Sequence, residues 1–176
     1  MKTVNDLSRD IFREEVPGWE ALEPQLRSWL EQGTSLKEIR HNIYIHIFEC
    51  FIETGSPKGV DEEEWKEEQS REAMNRAFNV VEGLIENLPA TEQNRQRLLD
   101  YIGEYASFNA YDRLLSDFLP LLSEEEIKEI LARAKAWFIP EVTAEWEENV
   151  KWEMEQRRKR HLKQNKQKGG NKNESF

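Results

Sequence analysis

The sequence predicts an all-α protein, an irregular helical bundle of about seven to eight helices ending in a disordered basic C-terminal tail. Three observations carry this expectation. Apolar residues recur at helical spacing in nearly every segment. Gly and Pro fall almost wholly at segment boundaries, where proline's missing amide proton and glycine's tolerance of a left-handed turn end helices. No alternating run of β-branched residues is joined to another by Asn-Gly or Asp-Gly. The stretch "NIYIHIF" does alternate, which leaves a short strand open there.

The elements follow in order. Residues 5–15 place Leu7, Ile11 and Phe12 on one side. After "PGW", residues 19–32 carry Trp19, Leu22, Leu26, Trp29 and Leu30 at i, i+3, i+4 spacing, with Pro24 marking a kink or a late start. Gly33 ends that run, and Thr34 or Ser35 caps a helix over 36–54. Its stripe of Leu36, Ile39, Ile43, Ile47 and Cys50, widened by Tyr44, Ile45, Phe48, Phe51 and Ile52, is apolar almost all round and reads as central. "TGSPKGV" breaks the chain, and Asp61 opens a long helix whose acidic front suits the helix dipole. Pro89 stops it, and Thr91 with Asn94 starts the next. Helices over 108–119 and 124–138 follow, the second announced by the capping-box spacing of Ser123 and Glu126. A last amphipathic segment begins after Pro140 with Val142, Trp146, Val150 and Trp152. Residues 1–154 thus form one helical domain, open to division into sub-lobes 1–55 and 60–154, and 155–176 form the tail.

The net charge of −10 hides a split. Residues 151–176 hold nine Lys/Arg and three Glu, a net of +6, while residues 1–150 hold 16 basic and 32 acidic groups, a net of −16. An acidic body resists nucleic acid, whereas the tail attracts phosphate or an acidic surface. No apolar run reaches the roughly 20 residues of a membrane span, and the N-terminus carries charges where a secretory signal would be apolar. Cys50 is the one cysteine, so no intrachain disulfide forms, and the cytoplasm is the expected compartment.

The sharpest chemical candidate is "RHNIYIH", which sets Arg40 and His46 six residues apart on the 36–54 helix. A guanidinium offers a rigid fork to phosphate oxygens, and an imidazole titrates near neutrality. The stretch resembles the R-x4-6-H motif of the HEPN-superfamily ribonucleases, all-helical proteins whose sites meet at a dimer interface and cleave RNA without metal. The resemblance implies that Arg40 stabilises the phosphorane charge, His41 is the polar neighbour and His46 the acid/base.

On the same helix Asn42, His46, Glu49, Cys50 and Glu53 share a stripe, and His46 with Glu49 or Cys50 could give a metal two contacts. A site needs three or four ligands, so no metal and no cofactor is expected, and the stripe reads as the wet side of the helix with His46 hydrogen-bonded to a neighbour. Gly-rich phosphate loops, nucleophile elbows and H-E-x-x-H are absent from the sequence.

Trp65, Trp146 and Trp152 each sit among charges, either to pack on a neighbouring helix or to anchor a protein partner. In the tail, Arg157, Arg158, Lys159, Arg160 and Lys163 form a basic run suited to a phosphate backbone or an acidic partner. It lacks aromatics for base stacking and apolar residues for a membrane surface. The leading expectation is therefore a non-enzymatic interaction subunit, adaptor or regulator with a protein partner, whose tail touches nucleic acid or an acidic surface, as in a nucleoprotein complex. The alternatives are the metal-independent ribonuclease and an acidic inhibitor that imitates nucleic acid.

Overall fold

A computed structural model of the chain describes residues 12–170. Among these residues the secondary structure is helical and no strand occurs. The helices are α1 (Phe12–Glu15), α2 (Trp19–Glu31), α3 (Leu36–Glu53), α4 (Glu62–Asn87), α5 (Glu92–Ile102), α6 (Phe108–Leu114), α7 (Glu124–Trp137) and α8 (Pro140–Gly170), with a 3-10 turn at Leu119–Leu121. "NIYIHIF" is helical. The expected first helix is described only from Phe12 onward, and Leu7 and Ile11 lie outside the described residues. Helix α2 starts at Trp19 and runs through Pro24, so the proline does not delay it.

The chain divides into two compact units, residues 1–110 and 111–176. The break at 55–60 lies inside the first unit, because the loop there joins α3 and α4, which pack directly on each other.

Local chemistry sets the helix starts of the first unit. Ser35 Oγ accepts the Glu38 N–H at 3.2 Å, Asp61 Oδ1 the Glu64 N–H at 3.0 Å, and Thr91 Oγ1 the Asn94 N–H at 3.3 Å. Each cap satisfies one of the amides that a helix start leaves without an internal partner. The core is built from Leu22 and Leu26 of α2, Leu36, Ile39, Ile43 and Ile47 of α3, Ala77, Val81 and Ile85 of α4, and Leu98 of α5. Phe12 packs on Trp19, ring centres 5.3 Å apart, and its ring tip presses on α4 at Gly83. A side chain on Gly83 would begin 2.6 Å from Phe12 Cζ, so glycine makes room for the ring.

Arg97 of α5 is 6% exposed and closes the far side of this core. It donates to the carbonyls of Leu30 at 2.6 Å and Thr34 at 3.2 Å, and to Asn94 Oδ1 at 2.9 Å. The Leu30 carbonyl belongs to the last turn of α2, where the Gly33 N–H also reaches it at 3.3 Å, and Thr34 lies in the link to α3, so the guanidinium ties the end of α2 to the start of α3. Burial lowers the pKa of Arg97 from its ordinary value.

In the second unit α7 opens with the full capping box: Ser123 Oγ accepts the Glu126 N–H at 3.1 Å, and Glu126 Oε2 accepts the Ser123 N–H at 2.9 Å. Tyr111, Phe138 and Trp146 form an aromatic cluster, with Phe138 edge-on to both other rings at 5.4 Å. Leu114, Leu115, Phe118, Ile127 and Ile130 fill the rest.

Helix α8 continues past Met154, where the sequence suggested fraying, and stays helical to Gly170. Its composition explains this. Lys, Gln and Arg are good helix formers, and Glu155 pairs with Lys159 at 2.7 Å across one turn. From Arg158 to Gly170 every residue is exposed, so this stretch is an arm with no side buried. Residues 171–176 lie outside the described residues.

Candidate functional site

Helix α3 carries the residues with most chemical promise, and its twist separates them. Six positions on a helix amount to roughly a third of a turn between the two side chains, so Arg40 and His46 leave α3 in different directions. The structure does not bring them together within the chain.

Arg40 turns toward α4 and α5. Its guanidinium carbon lies 4.2 Å from the centre of the Tyr105 ring and 5.3 Å from that of Phe78, both within cation–π range. Glu82 and Tyr101 complete a polar cluster around it. The Glu82 carboxylate takes hydrogen bonds from the Ser107 hydroxyl and the Asn109 backbone N–H, yet burial, the largest influence, raises its pKa from the ordinary value. Tyr101 is 1% exposed, and burial pushes its phenol up to about 12 against the opposing pull of Arg40. Arg40 Nη1, Glu82 Oε1 and Tyr101 Oη are all buried without a well-formed hydrogen bond among the described residues. Arg40 influences Tyr101 through charge and marginal contact, which is weaker than a well-aligned bond.

His46 turns toward the α1–α2 corner. Its Nε2 lies 3.2 Å from the carbonyl oxygens of both Pro17 and Gly18. Carbonyls only accept, so Nε2 carries the proton and donates it, leaving no lone pair there for general-base work. This is the expected hydrogen bond to a neighbour. Gly18 adopts φ +65°, and a side chain there would begin 2.8 Å from His46 Nε2. Cys50 Sγ is 3.8 Å from the same nitrogen, and burial followed by Glu53 and Glu49 raises its thiol pKa. A raised pKa keeps the sulfur protonated, the poorer form for nucleophile or ligand. No cluster of three or more His, Cys, Asp or Glu able to hold a metal occurs among the described residues.

The polar stripe expected along α3 is only part of its outer side. Ile45 is 38% exposed, and Phe48, Glu49, Ile52 and Glu53 line a shallow cleft of about 330 Å³. The helix is therefore buried on one side and open on the other, and the open side carries apolar residues beside the polar ones.

The three tryptophans part company. Trp65 is 9% exposed and belongs to the core of the first unit. Trp146 is 1% exposed, and its indole N–H donates to Asp112 Oδ1 at 2.8 Å. Neither presents a surface to a partner. Trp152 is 62% exposed and forms one wall of a cleft of about 270 Å³ with Ser116, Leu119, Pro120, Asn149 and Glu153. Trp137 and Ile139, 66% and 62% exposed, are a surface pair that the sequence pattern does not mark. Phe138 between them turns inward onto Trp146, which forces its two neighbours outward.

The basic run also divides. Arg157 is engaged in the fold: its Nη2 donates to the carbonyls of Leu119 at 3.0 Å and Leu122 at 2.7 Å, while Nε pairs with Glu153 Oε1 at 2.9 Å. That assignment to a nucleic-acid tail is corrected by its half-buried position over the 3-10 turn. Glu153 is 2% exposed and also receives Arg160 at 3.1 Å. Arg158, Lys159, Arg160 and Lys163 are exposed on the arm, with Lys166 and Lys168 beyond them. No helix among the described residues is long and apolar enough to cross a membrane.

Comparison of the chain with protein-family models, curated proteins and solved structures finds no match.

Proposed function

We propose that this protein works by binding, as a helical subunit or regulator whose basic arm engages the phosphate backbone of a nucleic acid. The observation that carries the reading is the arm itself. Residues 158–170 contain six Lys/Arg and no Asp or Glu, and every one of them is exposed. The cations point round the whole circumference of the helix, which suits a diffuse phosphate array better than a shaped pocket. Trp152 at the base of the arm, with Pro120 and half-exposed Leu121 close by, adds an apolar anchor of the kind found at the centre of protein interfaces. The same acidic body that repels nucleic acid elsewhere would direct it to the arm.

The test is a titration of duplex and single-stranded RNA and DNA against rising salt. Truncation after Arg157 keeps the guanidinium that closes the 119–122 turn and the Arg157 partner of Glu153, and removes the arm together with the residues that follow it. For each phosphate that the truncated chain no longer neutralises, the slope of log affinity against log salt should fall by about 0.7–0.9. Equal affinity and slope for the intact and truncated chains would reject the reading.

A further inference from the structure

Helix α3 is apolar on two opposite sides. The inner stripe of Leu36, Ile39, Ile43 and Ile47 is buried. The outer stripe of Ile45, Phe48 and Ile52 repeats at i, i+3 and i+7, the spacing of a helix face that meets another helix. It borders open space, with Ile45 exposed and the cleft of Phe48, Glu49, Ile52 and Glu53 beside it. Glu38, Glu49 and Glu53 lie along the same side and are exposed. An apolar strip with an acidic rim fits a helix that brings apolar anchors between cations.

Such a helix is present in this chain. On the arm of α8, Leu162 is 61% exposed, with Arg158 four residues before it and Lys166 four after. Residues four apart share a face, so cation, leucine and cation stand one above another at one-turn spacing, with Lys159 and Lys163 along one flank.

We infer that the outer face of α3 receives the 158–170 arm of a second copy of this chain. Leu162 seats among Ile45, Phe48 and Ile52, and the cations around it pair with Glu49 and Glu53. The contact joins two different surfaces, so it closes when two copies exchange arms and otherwise grows end to end. It rests on the reading of the arm as a binding element, and it makes the acidic face a competitor of the polyanion.

Sedimentation of the full chain tests this. Association that rises with protein concentration and weakens with salt is expected. Glu49→Lys with Glu53→Lys should weaken it at least about tenfold, as should Arg158→Glu with Lys166→Glu. Mixing the two double variants should restore a heteromeric complex, because the charges are then reversed on both sides. A chain that stays monomeric, an arm protected from protease within a monomer, or association indifferent to the charge reversal would each overturn the inference. Polyanion binding by the wild-type chain, measured on the same samples, separates the two readings. If the wild-type chain binds polyanion without self-associating, this inference fails alone. If polyanion binding is absent while the arm still mediates association, the nucleic-acid reading fails.

Discussion

The Arg40 guanidinium lies 4.2 Å above the ring of Tyr105, and Phe78 flanks it at 5.3 Å, which places a cation from α3 between aromatic groups of the α4 and α5 side of the first unit. Glu82 and Tyr101 stand in the same cluster with buried polar atoms. An arginine held in this way works on the fold. Arg40→Ala is expected to lower unfolding free energy by about 2–4 kcal/mol, since it removes the cation–π contacts and leaves Glu82 without its nearest positive charge. Arg40→Lys should recover only part of this, because an ammonium cannot lie flat on the ring. Urea unfolding measures both. The ribonuclease alternative makes a different demand: RNA cleavage in EDTA by the intact chain, lost equally in Arg40→Ala and His46→Ala.

Glu82 makes the same cluster sensitive to pH. Burial raises its folded pKa, so the folded state keeps a proton that the unfolded chain has already released. Stability from this group is fully present below the unfolded value and is lost as pH rises through the raised folded value. Arg40, Ser107 and Asn109 oppose the rise and Glu86 adds to it. Glu82→Gln cannot ionise, so relative to this variant the wild type should gain stability on acidification across that window. Unfolding both chains over a pH series gives the difference directly, and parallel curves would remove Glu82 as the titrating group.

Gly18 and His46 form a second sensitive point. Gly18→Ala places a methyl carbon against His46 Nε2 and holds alanine at φ +65°. A cost of about 1–3 kcal/mol is expected from strain and the displaced imidazole together. His46→Ala removes the obstacle, so the double variant should cost less than the sum of the singles. Strict additivity would mean that the two positions do not meet in solution.

Features written locally in the sequence were legible before the structure. The Ser123–Glu126 box, the Ser35, Asp61 and Thr91 caps, and the buried stripe of α3 each depend on residues within a few positions of one another. Trp146 was ambiguous because its partner, Asp112, is 34 residues away and nothing nearby announces it. Trp65 sits among acids that occupy the outer side of α4 while its ring turns inward, and charge counting alone cannot separate those two directions. Arg97 goes unmarked in the sequence, and Arg157 is grouped there with the tail although it closes a turn of the fold. Both bind backbone carbonyls, which every residue possesses, so no side-chain pattern marks the acceptor.

Arg157 supplies the last prediction, because it sits in a basic run yet differs from its neighbours. Its guanidinium bonds two carbonyls of the 119–122 segment and a carboxylate that is 2% exposed. Arg157→Ala leaves those acceptors short of donors and leaves Glu153 to the exposed Arg160, which should cost about 2–4 kcal/mol. Arg158→Ala touches an exposed side chain and should change stability by less than about 0.5 kcal/mol. Salt titration of nucleic-acid binding should reverse the order once both chains are folded: loss of Arg158 removes a charge from the arm, whereas loss of Arg157 removes one already committed to Glu153. Thermal unfolding and the salt slope, measured on the same two variants, separate the residue that closes the second unit from the one that faces a partner. Equal stability losses would mean that Arg157 is as free in solution as the rest of the run.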